Sequence, residues 1–167
     1  MPDERSETAV IPPPADLTVA RVGVHVARTR PDKLALYDGT RRISYGQLDA
    51  DVESIASGLV AAGVKKGDVV AAYLPNCIDY VEIVLAVARA GAVFSPINPR
   101  FKSYEITMLL KSGRPRAVFT TGDKAAMVAD AAAQAGLDQM QVVTTGPHAD
   151  TSARVCPLDR FMDAHRR

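Results

Sequence analysis

The sequence predicts an α/β fold: a mostly parallel sheet with helices on both faces, preceded by a helix and a β-hairpin. Two observations carry the sheet. From Gly67 onward the apolar runs Val69–Leu74, Val93–Ile97, Ala117–Thr120 and Gln141–Thr144 recur with helix-length segments between them, and strands alternating with helices close as a parallel sheet through right-handed crossovers. The intervening helices are punctuated by Asn76, Ser103 and Asp123 near their starts and by Gly91, Gly113 and Gly136 just past their ends, where caps and left-handed residues belong. A third observation sets the front of the chain apart. Leu34–Tyr37 and Arg41–Ser44 flank Asp38-Gly39, a dipeptide that tolerates positive φ and favours a tight reversal.

In chain order, residues 1–15 are expected to be a disordered tail, because Pro12-Pro13-Pro14 and alternating charged and small residues offer too little apolar area to order it. Residues 16–66 make a helix, hairpin and helix segment. Its first helix covers Leu17–Arg28, with Leu17, Ala20, Val24 and Ala27 at helical spacing, Asp16 as cap and Pro31 as stop. After the hairpin, Ser44 and Gln47 stand at capping-box spacing. Leu48, Val52, Ile55, Leu59 and Val60 give the next helix an apolar face, Asp49, Asp51 and Glu53 lie mostly off it, and Gly63 closes it. Residues 67–146 form a parallel α/β unit of four strands, and 147–167 are a C-terminal extension in which Pro157–His165 offers one or two helical turns.

At 167 residues and 47% hydrophobic, the chain is large and apolar enough to bury its own core. Its net charge of +1 gives no broad basic field, so neither nucleic acid nor an anionic membrane surface is an expected partner. The longest apolar runs, Val69–Leu74 and Ile83–Ala88, reach about six residues against the roughly 18 that suggest a membrane span. The start, Met1-Pro2-Asp3-Glu4-Arg5-Ser6-Glu7, is acidic where a secretory signal is basic and then apolar. A soluble, cytoplasmic protein with no membrane span is therefore expected. Cys77 and Cys156, only two and far apart, suggest neither a disulfide framework nor a metal cluster.

Candidate chemistry is sparse. His25, His148 and His165 fall on three different predicted elements, with no partner at ligand spacing on a shared face. Cys77 follows Asn76 at a helix start, where amide dipoles favour a thiolate; with no histidine nearby in sequence to act as base, it reads as a small residue of a first turn. Thr120-Thr121-Gly122-Asp123 runs from a strand into a turn that could present amides to a phosphate. It lacks the glycine spacing that wraps a phosphate chain, so Asp123 reads as a helix cap. Lys33, Lys65, Lys66, Lys102, Lys111 and Lys124 scatter near element ends, as on a solvated surface. No catalytic and no metal-ligating residue is assigned.

Resemblance takes the reading further. Ile43-Ser44-Tyr45-Gly46-Gln47-Leu48 is similar to the Ser/Thr-Tyr-x-Glu-Leu box that opens a long helix in adenylate-forming enzymes, with Gln47 in place of the usual Glu. Gly63-Val64-Lys65-Lys66-Gly67-Asp68-Val69-Val70-Ala71 and Leu74-Pro75-Asn76 resemble that superfamily's Gly-Val-x-x-Gly-Asp-x-Val and Pro-Asn segments. Its second core motif is matched by Ala90-Gly91-Ala92-Val93-Phe94-Ser95-Pro96-Ile97-Asn98-Pro99, and Glu105 and Leu109-Leu110 continue the pattern. The resemblance runs from about Thr18 to Thr121, and it is carried by the order and spacing of pieces that are generic singly. Peptide synthetase adenylation domains tend to have Asp at Asn98 and an aromatic-Pro pair at Phe101-Lys102, so the departures here tilt the resemblance toward acyl- or aryl-CoA ligases.

The resemblance implies the N-terminal part of an ATP-dependent acyl-CoA ligase, which makes acyl-CoA, AMP and pyrophosphate from a carboxylate, ATP and CoA. ATP, Mg and CoA are the cofactors implied for the complete enzyme, and none is expected to be bound by this chain alone. The family's phosphate loop, its downstream Thr-Glu pair, its ribose-binding Asp and its C-terminal-domain Lys match nothing in this sequence. Thr121-Gly122-Asp123 spells a ribose-site motif, but at the wrong place in the order. In acetyl-CoA-synthetase-like relatives, arginines just after the strand matched by Ala117–Thr120 help to hold the CoA 3'-phosphate, and what this sequence offers there is Lys124, the one candidate cofactor-binding residue. The expected partner is the remainder of a ligase domain, with self-association of the chain alone. A stand-alone binding or interaction module on the same fold is the alternative.

Overall fold

The structure is a computed structural model that describes residues 18–146 and 155–164. The expected tail 1–15, Asp16, Leu17, His148 and His165 lie outside the described residues. In place of one helix over Leu17–Arg28, Val19–Arg21 forms a 3-10 turn and α1 spans Val24–Thr29. The break is Gly23, at φ +81°, which seats the chain 3.4 Å (from an ideal Cβ) off the Tyr45 ring.

Strands β1 (Leu34–Tyr37) and β2 (Arg42–Ser44) pair antiparallel as a two-stranded sheet of their own. The turn is held by Asp38, whose Oδ1 accepts from the amides of Thr40 and Arg41 at 3.0 and 2.9 Å, while Gly39 takes φ +97°. Ser44 Oγ then accepts from the Gln47 amide at 3.3 Å and starts α2 (Tyr45–Ala61). Gly46 suits the close approach there, because a Cβ at that position would lie 3.1 Å from Pro31 Cβ and 3.3 Å from its carbonyl, tighter than an ordinary contact.

Beyond α2 the chain alternates β3 (Val69–Tyr73), α3 (Ile78–Arg89), β4 (Val93–Pro96), α4 (Ser103–Gly113), β5 (Ala117–Thr121), α5 (Ala125–Gln134) and β6 (Gln141–Thr145). It closes with β7 (Val155–Pro157) and α6 (Leu158–Asp163). The sheet has five parallel strands in the order β4-β3-β5-β6-β7, one more than the four expected. Three residues ending in Pro157 carry too little alternation to be read as a strand, and only the open edge of β6 makes β7 one.

Each sheet face is covered. Val70, Ala72, Phe119 and Val143 face α2, α3 and α6, whereas Ala71, Val118 and Val142 face α4 and α5, the period-2 alternation of a sheet buried on both sides. Val93 and Ile97 donate their amides to Asp68 and Ala72 of the neighbouring strand. Pro96, one residue out of phase with that set, points its missing N–H at the open edge, which blunts β4 against strand addition.

Several local expectations give way to packing. Val60 is exposed, and Asp51, expected off the apolar face of α2, is buried against it. Gly113 is the last helical residue of α4, and Arg114 takes the left-handed position at φ 42°. Ser103 is likewise inside α4, whose first turn is bonded by Glu105 accepting from the Lys102 amide at 3.0 Å. Asp123 does not cap α5: it sits in a 3-10 turn over Gly122–Lys124, and α5 starts after Lys124 with no side-chain cap. The hairpin puts Ile43 into the core and Arg41 onto α3.

Candidate functional site

In an open parallel sheet a crevice forms at the carboxyl ends of the strands where the strand order reverses. Here β3 is followed by β4 on one side and by β5 on the other, so that point lies between Tyr73 and Thr120–Thr121. The Tyr73 hydroxyl donates to the Phe101 carbonyl at 2.5 Å. Lys124 arrives from beyond β5, donates to the Pro99 carbonyl at 2.9 Å, and holds its ammonium 4.3 Å above the Tyr73 ring. Lys124 is thus part of a brace that fixes the β4–α4 connection over the sheet. Thr120 and Thr144, register partners on one sheet face, are buried, with hydroxyls that have no hydrogen-bond partner among the described residues.

The other sequence candidates are not brought together. Cys77 stands at the N-terminal boundary of α3 without capping it, and burial pushes its thiol pKa up, away from a thiolate. His25 is in α1, far along the chain from either cysteine, and both Cys77 and Cys156 are free thiols. Among the described residues no three His, Cys, Asp or Glu are grouped to hold a metal ion. Among the described residues no helix is long and apolar enough to cross a membrane.

Sequence reasoning missed a second polar cluster. Glu82 of α3 is 1% exposed, and Asp51 of α2 is buried as well. Arg41, just before β2, is ion-paired to Asp79 and reaches to 3.7 Å from Glu82 Oε1, which has no hydrogen-bond partner among the described residues. Burial first, then the Asp51 charge, raises the Glu82 carboxyl from 4.5 to about 7, with Arg41 opposing. The signal was present in the helical period: Glu82 is four residues from Ile78 and from Ala86, both buried, and so lies on the apolar stripe of α3.

The chain matches the family described as AMP-binding enzyme over residues 24–158. It is 33% identical over 146 residues to naringenin synthase of Pestalotiopsis fici, covering 87% of this chain and 5% of that protein. It is 30% identical over 142 residues to oxalate–CoA ligase of Arabidopsis thaliana, covering 84% of this chain and 28% of the relative. A solved structure described as a long-chain-fatty-acid CoA ligase, from Rhodopseudomonas palustris, superposes with a TM-score of 0.77 at 31% identity over 88% of this chain and 36% of its own. The chain thus spans about a third or less of the length of these proteins. With the motif order, the five-stranded parallel sheet and this match agreeing over most of its length, the chain belongs to the AMP-binding enzyme family, in the adenylate-forming superfamily.

Proposed function

We propose that the chain is the N-terminal part of an ATP-dependent acyl-CoA ligase and that its task in the whole enzyme is to build and brace the sheet on which later segments assemble the adenylating centre. The observation that carries this reading is the combination of a family match over residues 24–158 with a crevice whose Tyr73 hydroxyl and Lys124 ammonium are bonded to backbone carbonyls of the β4–α4 connection. Activation of a carboxylate by ATP needs preorganised donors around the transferring phosphorus and its leaving group, and the crevice supplies one cation. Lys124 is the group here that would contact a phosphate of CoA. The complete enzyme would release AMP and pyrophosphate and pass the acyl group to the CoA thiol. The partner is the remainder of the ligase domain. Phe101, Tyr104, Met108 and Leu109, at and just before α4, are 36%, 75%, 52% and 40% exposed, large apolar side chains of the kind that another surface covers. Without that cover the chain alone self-associates through it.

The test is carboxylate-dependent exchange of labelled pyrophosphate into ATP by the purified chain, beside a Lys124→Ala control. No exchange above a mock purification is expected. Exchange that the Lys124→Ala substitution abolishes would place the adenylating centre at Thr121–Lys124 and refute the scaffold reading. A second reading, a stand-alone binding module, is favoured by the covering of both sheet faces within this chain. Sedimentation at several concentrations separates the two: a strictly monomeric, cooperatively melting chain that ignores hydrophobic dyes supports the module.

A further inference from the structure

A polar cavity lies at the opposite end of the sheet from Lys124. It has a volume of about 550 Å³ and sits where the α4–β5 and α5–β6 connections come together, at the amino ends of two neighbouring parallel strands. Arg114 and Arg116, just before β5, supply two guanidinium groups, and Asp138, just before β6, supplies the one carboxylate of the lining. Pro115, Leu137 and Met140 give the cavity apolar walls. Among the described residues no ion pair or hydrogen bond engages the Arg114 side chain. Arg116 Nε stands 3.6 Å from Asp68 Oδ2, beyond hydrogen-bond length, and that oxygen already accepts from the Lys65 amide at 2.9 Å.

Arg114 is held at this cavity against its own backbone preference. It takes the left-handed conformation, φ 42° and ψ 54°, which ends α4 and turns the chain toward β5. That conformation is easy for glycine and strained for a residue with a Cβ. Gly113 stands one position earlier, inside the helix, where a Cβ would meet nothing within 4 Å. A helix ending one residue sooner would give the left-handed position to the glycine. The strain falls instead on the residue that brings a guanidinium to the cavity. We propose that Arg114 and Arg116 form a site for a phosphate-bearing anion, with the phosphate held by the two guanidiniums and any organic part of the ligand against Leu137 and Met140. The cavity falls within the range of about 300–1,000 Å³ usual for small-molecule sites. Planar forks with unspent donors match phosphate oxygens in pairs. Two positive charges lining one cavity also repel until a dianion neutralises them, which a monocarboxylate does only by half.

The experiment is an NMR titration of the full chain, following backbone amides, with inorganic phosphate and with phenyl phosphate at constant ionic strength and with benzoate as the monocarboxylate comparison. Saturable shifts are expected at the amides of Arg114, Arg116 and Leu137 with the phosphates, and far smaller ones with benzoate. Tighter binding of phenyl phosphate than of phosphate assigns an ester, and equal affinity assigns the free anion. Arg114→Gly should weaken binding about tenfold or more, the worth of charge-assisted hydrogen bonds from one guanidinium. Glycine takes this backbone conformation without strain, so the variant should keep the fold and leave the shifts of Val118 and Phe119 in β5 in place. Arg116→Gln, which keeps an uncharged donor, should weaken binding to a similar degree. The proposal is overturned if neither phosphate gives saturable shifts at these amides, if benzoate matches phenyl phosphate, or if both variants bind as tightly as wild type. Shifts confined to Phe101 and Lys124 would overturn it as well, while leaving the crevice as the anion site.

Discussion

Gly58 sits in the interior of α2, where glycine disfavours a helix by about 1 kcal/mol relative to alanine. On propensity alone Gly58→Ala should stabilise the chain. A Cβ at that position, however, would stand 2.5 Å from Phe161 Cε1 and 2.9 Å from Cδ1 and Cζ, against a favourable carbon–carbon separation of about 3.5–4.0 Å. The ring cannot swing aside freely. Phe161 is 6% exposed and meets Phe119 edge-on at 6.1 Å between centroids, and Phe119 is itself fully buried in the central strand β5. Overpacking of this kind costs about 1–3 kcal/mol, so against the propensity gain the expected net effect of Gly58→Ala is a loss of up to about 2 kcal/mol. Urea denaturation followed by circular dichroism measures it, best as a cycle with Phe161→Ala, which alone should cost about 3–5 kcal/mol. With the ring removed, Gly58→Ala should change sign and gain about 1 kcal/mol. A stabilising Gly58→Ala of equal size in both backgrounds would refute the reasoning, and with it the docking of α6 onto α2 that lets the last described helix complete one core.

Two further outcomes follow from particular groups. Ser44→Ala should lower stability by about 1 kcal/mol by removing the acceptor of the Gln47 amide, whereas Ser44→Asp should preserve it; the shift in urea midpoint reads both. Burial raises the folded-state pKa of Glu82 from the ordinary 4.5 to about 7, so its burial penalty is absent below about pH 4.5 and complete above about pH 7. Glu82→Gln should accordingly gain on the order of 3 kcal/mol over wild type at pH 8 and far less at pH 5, and a difference that does not change between those two pH values would contradict the buried-charge account.

How far the sequence reaches is clearest strand by strand. β3, β4, β5 and β6 each announce themselves as short apolar runs bounded by turn residues, and all four lie where those runs predict. The Asp38-Gly39 reversal and the Ser44 cap are local devices, settled by side chains within three residues of the backbone they bond, so sequence alone is enough for them. The crevice was legible only as a location. Thr120–Lys124 marks the end of a strand, but nothing local says that Lys124 is bonded to Pro99, 25 residues away, or lies on the face of Tyr73.

What the sequence by itself determined is whatever depends on one element's own chemistry: the α/β class, four of the five strands, the hairpin, and the motif order that marks the family. The tertiary structure alone decided the strand order β4-β3-β5-β6-β7, the fifth strand, and the transfer of the left-handed position from Gly113 to Arg114. It also decided the burial of Asp51 and Glu82 in one seam. The reason is physical. Periodicity records which face of an element is apolar but not which element covers it, so the environment of a carboxyl on that face is set by neighbours dozens of residues distant. Arg41 and Glu82, 41 positions apart on a hairpin and a helix, share a site only because α3 packs beside α2 under that hairpin.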